Sequence, residues 1–266
     1  MRGWYLLMGL LAALALVTLA GCKEEAPKSE LDIFIEHMDN LPAGEQADTL
    51  ATLAAGTGRP AAWANYILGN RLYAAAADSA VIGGWSTPVV TALLEESEGY
   101  LTAAIERDST FVEALVNLGS LWDDRSEVVG PRAQRDRNLA QAKHFYEKAL
   151  AINPRDEKAR CNLGGLYLRQ RKIMEAKQEF TTVLENNPHS ALAHYNLAIM
   201  FAESKIYREA IAEWELAVKY DPDGDIGQRS SDNIKIVKDL MKTPVPAPGK
   251  GLGAKGSAPK GNKSGH

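Results

Sequence analysis

The side chains able to do chemistry are few and scattered along the chain. The histidines (His37, His144, His189, His194 and His266) form no pair at metal-ligand spacing beside a carboxylate or cysteine, so no metal and no cofactor is expected. No nucleophile elbow, Walker loop or HExxH stretch occurs, so no catalytic residue is assigned and no small-molecule substrate is expected. Acidic pairs such as Glu95–Glu96 and Asp123–Asp124 are adjacent in sequence and point to different helix faces, which reads as solvated charge. Gly251-x-Gly253-x-x-Gly256 spells a dinucleotide fingerprint. That motif needs a strand before it and a helix N-terminus after it to receive the pyrophosphate, and its surroundings supply neither.

The two cysteines differ in setting. Cys22 closes the apolar run "WYLLMGLLAALALVTLAG", which follows the single charge of Arg2 and ends in small residues. A basic start, an apolar core and small residues at the exit form a signal-peptide pattern. An uncleaved anchor or an ordinary secretory signal is the alternative. Leu19-Ala20-Gly21-Cys22 resembles the lipobox of bacterial lipoproteins, and that reading is favoured. The resemblance implies cleavage before Cys22 and acylation of its sulfur and new amino group, which would fix the chain to a membrane. Lys23 rather than aspartate follows, implying the outer membrane, facing the periplasm, if the host is Gram-negative. Cys161, without an internal partner, sits in a helical run and reads as an inert small residue.

Charge excludes one class of partner. From Cys22 to Lys242 the chain carries 25 basic and 34 acidic residues, whereas nucleic acid asks for a basic face. Four lysines fall in the Pro- and Gly-rich stretch 243–266, expected to be disordered for want of apolar mass.

What must position any binding residues is an all-helical array. Periodicity predicts helices at about 31–40, 45–55, 60–78, 88–107, 111–124, 136–151, 156–169, 173–186, 190–203, 207–220 and 228–242, with no alternating β pattern. Residues 22–30 read as a polar tether. Within the array, Leu163-Gly164-x-x-Tyr167, Ala176-x-x-x-Phe180 and Pro188 recur 34 residues later as Leu197-Ala198-x-x-Phe201, Ala210-x-x-x-Trp214 and Pro222. Small residues let the two helices of a hairpin approach, the aromatics fill the space beside them, and proline ends each unit. Upstream, Leu118-Gly119-x-x-Trp122 pairs with Ala142-x-x-x-Tyr146 and Pro154 across a turn lengthened by eleven residues. This pattern resembles the tetratricopeptide repeat (TPR). The resemblance implies an all-α, right-handed superhelical solenoid of about five hairpins plus a capping helix. The repeats would fill 109–224 (about 112–156, 157–190 and 191–224), with degenerate hairpins over 31–108 and the cap over 225–242.

The resemblance also implies a concave groove. Asn117, Asn162 and Asn196 each precede the Leu-Gly or Leu-Ala pair, so stacking places them in a row where an amide could bond a partner's extended backbone; asparagine being simply common there is the plainer alternative. Tyr195, Ile199, Leu168 and Arg169 would line the same groove. The basic clamp by which some TPR domains grip a carboxylate is missing, its positions being Val116, Leu192 and Asn196. Two long turns, Asp78–Pro88 with Trp85 and Asp123–Arg137 with four arginines, would project from one edge as binding insertions or as solvated filler. The expected function is a non-enzymatic, membrane-tethered adaptor for envelope proteins or peptides. Alternatives are an assembly lipoprotein, as for a type IV pilus or outer-membrane protein insertion, or an accessory to a cell-wall enzyme.

Overall fold

The computed structural model describes residues 28–242 apart from Val129. The apolar leader, Cys22, most of the polar tether and the stretch 243–266 lie outside the described residues. Among the described residues every regular element is an α-helix: α1 (Glu30–Asp39), α2 (Ala43–Ala54), α3 (Gly58–Gly83), α4 (Pro88–Arg107), α5 (Val112–Arg125), α6 (Arg132–Ile152), α7 (Glu157–Arg169), α8 (Ile173–Asn186), α9 (Ala191–Glu203), α10 (Tyr207–Tyr220) and α11 (Asp225–Lys242). Contacts divide the chain into one unit up to Thr49 and another from Leu50 onward.

In the first unit the polar stretch before α1 already has a structural task. Ser29 caps α1 through a reciprocal bond set with Asp32, which satisfies N–H groups that a helix start leaves open. Gln46 then ties the opening of α2 to α1 by donating to the Met38 carbonyl at 2.8 Å.

In the second unit α3–α4, α5–α6, α7–α8 and α9–α10 are antiparallel hairpins, and α11 packs on α10 and α9. Each hairpin closes on one small residue. A Cβ added at Gly119 would lie 2.4 Å from a Tyr146 ring carbon, and one at Gly164 would lie 2.4 Å from Phe180. Gly69 meets Leu101 in the same way, at 2.8 Å. Ala142, Ala176 and Ala210 are fully buried on the partner helices, beside Tyr146, Phe180 and Trp214. In α4 that place belongs to Ser97, whose hydroxyl donates to the Gly69 carbonyl at 2.9 Å. The hairpin that the sequence aligned only weakly therefore uses the same closing contact with different residues.

Junctions between hairpins repeat as well. The side chains of Asp108, Asn153 and Asn187 each accept the backbone N–H two residues on, at 3.0, 3.2 and 3.2 Å. These Asx turns redirect the chain into α5, α7 and α9. Asp156 and Ser190 then cap α7 and α9.

Both long turns are shorter than the sequence suggested. No breaker follows Asp78 until the glycine pair, so α3 continues to Gly83 and stops where Gly84 takes φ 80°. The arginine-rich stretch is mostly the opening of α6, which starts straight after Pro131 and is braced by Arg132–Asp136. The turns that remain are 84–87 and 126–131.

Candidate functional site: the inner helix face

Curvature follows from which helices touch. The first helices of successive hairpins, α3, α5, α7, α9 and then α11, contact one another in a row, whereas α4, α6, α8 and α10 contact none of their own kind. Helices drawn together on one side and splayed on the other bend the stack, so the first helices line its concave face. Positions three, four and seven residues apart share a helix face, and on this face they form Asn70, Tyr73 and Ala77 on α3; Asn117, Ser120 and Asp124 on α5; Asn162, Gly165 and Arg169 on α7; and Asn196, Ile199 and Glu203 on α9.

The amides of these asparagines are already engaged within the protein. Asn117 donates to the side-chain oxygen of Asn70, and Asn162 donates to Ser120 at 3.0 Å. Asn196 donates to the Leu192 carbonyl of its own helix at 2.9 Å and also bonds the Cys161 thiol. Cys161 is free and buried, and burial pushes its thiol well above the usual range, which suits an inert packing residue. Asn70, which begins this row, follows Leu68-Gly69 instead of preceding it; that shift hid it from a reading by motif register.

At the C-terminal ends of the first helices lies a network the sequence reading missed. Tyr73 of α3 donates to Asp124 at 2.5 Å. Arg169 of α7 donates to Asp123 at 2.5 Å and to Glu127 at 3.4 Å. Asp123 is only 5% exposed, and its second carboxylate oxygen has no partner among the described residues. The assignment of Asp123–Asp124 as solvated charge is therefore corrected. Adjacent residues do point to different faces, but α5 lies between α3 and α7, and both faces are covered. Burial raises the Asp123 carboxyl, and burial pushes Asp124 up to about 6, with the Tyr73 bond opposing.

Other sequence-selected residues are placed differently from expectation. Tyr195 is 9% exposed, lies in a buried cluster with Trp214 and Val237, and is covered by the Arg229 guanidinium at 5.0 Å from its ring centre. Ile199 is half-buried in the seam between two apolar clusters, and Leu168 is buried. Trp85 is half-buried and packs against the apolar cluster that includes Ala76, Ala80, Val90 and Leu94. The large apolar side chains left in solvent at that hairpin tip are Val81, Ile82 and Val89. Gly165 is an open position of the face: a Cβ there would meet nothing within 4 Å. A cleft of about 480 Å³ opens beside the α5–α6 turn, walled by Trp122, Arg125, Arg135 and Glu98, with Arg125 paired to Glu98 and stacked on Trp122.

Among the described residues no group of three His, Cys, Asp or Glu could hold a metal ion, and no helix is long and apolar enough to cross a membrane. The arrangement offers shape and hydrogen-bonding groups along a curved face.

Residues 161–225 match the family model for the tetratricopeptide repeat, and the hairpin stack is a helical solenoid of that type. No curated protein matches the chain. Among solved structures, a thermophilic TPR protein of Thermus thermophilus is 13% identical over 63% of this chain and 99% of its own, with a TM-score of 0.49. MamA from Desulfovibrio magneticus is 17% identical over 65% of this chain and 95% of its own, with a TM-score of 0.39. YrrB, described as a TPR protein with an unusual peptide-binding site, is 18% identical over 52% of this chain and 84% of its own, with a TM-score of 0.32.

Proposed function

We propose that this protein is a non-enzymatic adaptor that holds an extended segment of a partner protein along the inner face of α3, α5, α7 and α9. The observation that carries this reading is the row of mutually touching first helices. It sets Asn70, Asn117, Asn162 and Asn196 in line along a curved surface. An extended backbone laid across such a row finds amide groups at repeat spacing, and the open space at Gly165 admits it. The partners are envelope proteins or peptides, and the chain is held near them by acylation of Cys22, the reading supported by the Leu19-Ala20-Gly21-Cys22 ending of the apolar run. Several acyl chains, each contributing about 0.8 kcal/mol per buried methylene, make such an anchor permanent.

Gly165→Arg tests the groove without breaking the fold. A Cβ at this position meets nothing within 4 Å, and leaving glycine inside a helix gains about 1 kcal/mol. Partner capture by the full chain should fall while the melting temperature holds or rises. Capture at wild-type level by this variant would move the binding surface elsewhere. Mass spectrometry of the N-terminus tests the anchor separately; the expected species begins with acylated Cys22, and an intact Met1 or a cut elsewhere would contradict it.

A further inference from the structure

The tip of the α3–α4 hairpin is unlike every other hairpin end in the molecule. Val81 is 87% exposed, Ile82 93% and Val89 61%. From Ser79 to Leu94 no residue is charged, and between Arg71 and Arg107 there is neither lysine nor arginine. Helix α3 runs to Gly83, whereas α7 and α9 stop soon after the small residue equivalent to Gly69. The excess of roughly nine residues at 1.5 Å each carries the tip on the order of 13 Å beyond its neighbours. The fold keeps an apolar, uncharged point in water and pushes it outward.

We infer that this tip inserts into the interface of a lipid bilayer. Three side chains fall far short of the roughly 800 Å² per partner that a stable protein–protein interface buries, so neither a second copy nor a large partner surface explains them. A bilayer needs no shaped socket; it needs apolar side chains and few unpaired backbone groups. Part of the tip's backbone is paired. The Gly84 N–H donates to the Ala80 carbonyl at 2.8 Å, Thr91 N–H donates to the Thr87 carbonyl at 3.0 Å, and Val90 N–H reaches the Thr87 hydroxyl at 3.4 Å. Pro88 has no N–H to leave open. Trp85, packed against the base of the tip, is of the residue type that settles at the lipid–water boundary.

The chain outside the described residues supplies the reason a bilayer is at hand. Cys22 precedes Lys28 by a segment that spans about 21 Å at full extension, so an acylated Cys22 holds the described chain close to lipid. To that extent the inference rests on the anchor reading above. The charges flanking the tip, Asp78, Glu95 and Glu96, are acidic, so insertion here draws on apolar contact and not on anionic headgroups.

The test uses the full chain with Ile82→Cys carrying an environment-sensitive fluorophore, reconstituted into phosphatidylcholine vesicles. Cys161 is buried and stays unlabelled, and Met174→Cys, at a site 74% exposed on α8, is the control. Insertion predicts blue-shifted emission and quenching by brominated lipid at position 82, neither at position 174, and no change on raising salt. Water-like emission at both positions overturns the inference. So does a blue shift that requires anionic lipid, or one that appears only on adding envelope protein, which would mark a protein socket. An unacylated Cys22 found by mass would refute the anchor alone. The label at position 82 in a chain that also carries Cys22→Ser, read at vesicle excess, then decides insertion by the same criteria.

Discussion

In α7–α10 each hairpin turns within a few residues, at Arg171 and Lys205, which hold φ of 61° and 62° and close matching backbone bonds. In α3–α6 the hairpins bury the same kind of glycine contact but run on into an apolar tip and a longer turn at 126–131, and their inner ends are tied by buried charge. One half of the solenoid holds to the 34-residue unit; the other keeps the closing contact and varies everything beyond it. Stability in this fold thus resides in a small residue and the ring or branched chain it admits. Length and charge at the helix ends are free to specialise.

The comparison breaks most readily at the closing contacts. Gly119→Ala and Gly164→Ala each drive a methyl group into a buried ring at 2.4 Å, and each should cost about 2 kcal/mol after the gain in helix propensity. Gly69→Ala presses on a leucine that can shift its rotamer, and should cost about 0.5 kcal/mol. Denaturant midpoints of the three variants measure this directly. Equal losses would mean that the aromatic rings carry no special penalty over the leucine.

The buried charge sharpens the same comparison through pH. Burial puts the Asp124 carboxyl at about 6 in the folded chain, above about 3.9 for an unfolded aspartate. The folded state therefore binds this proton more tightly. The stability it contributes is complete below about pH 4 and is lost as pH rises through 6. Asp124→Asn keeps an acceptor for Tyr73 and should raise stability at pH 7 by about 1 kcal/mol, while flattening the slope between pH 4 and 6.5. Thermal melts across that range would show it, and an unchanged slope would count against the burial of this group.

The smallest effect belongs to the regular half. A left-handed backbone costs a side-chain-bearing residue about 1–2 kcal/mol, of which glycine's greater freedom when unfolded returns part. Arg171→Gly and Lys205→Gly should each stabilise by about 0.5 kcal/mol, with the two gains additive because the turns are separate.

How much of this was legible in the sequence divides along the same line. Gly164, Ala176, Phe180 and their copies announce the hairpins because the closing contact needs one residue type at one spacing. Where Ser97 and Leu101 replace alanine and an aromatic, the contact survives but the motif does not, and α3–α4 could be aligned only weakly. Helix ends were misjudged after Asp78 and over Arg132–Arg135, where polar or charged residues signalled a turn without any breaker of helical backbone. The asparagines at repeat spacing were legible. Their engagement with Asn70, Ser120 and Cys161 was not, because it depends on contacts between helices that no local pattern encodes. The Asp123–Arg169 and Asp124–Tyr73 bonds were hidden for the same reason: each joins residues about fifty positions apart.

The central claim is that partners lie along the concave face. A photoreactive amino acid placed at Gly165, on the open inner surface of α7, and separately at Met174, exposed on α8 of the outer row, tests it in the living cell. Cross-links to envelope protein at position 165 and none at position 174 are the predicted result. Equal cross-linking at both positions, or cross-links at 174 alone, would contradict the account.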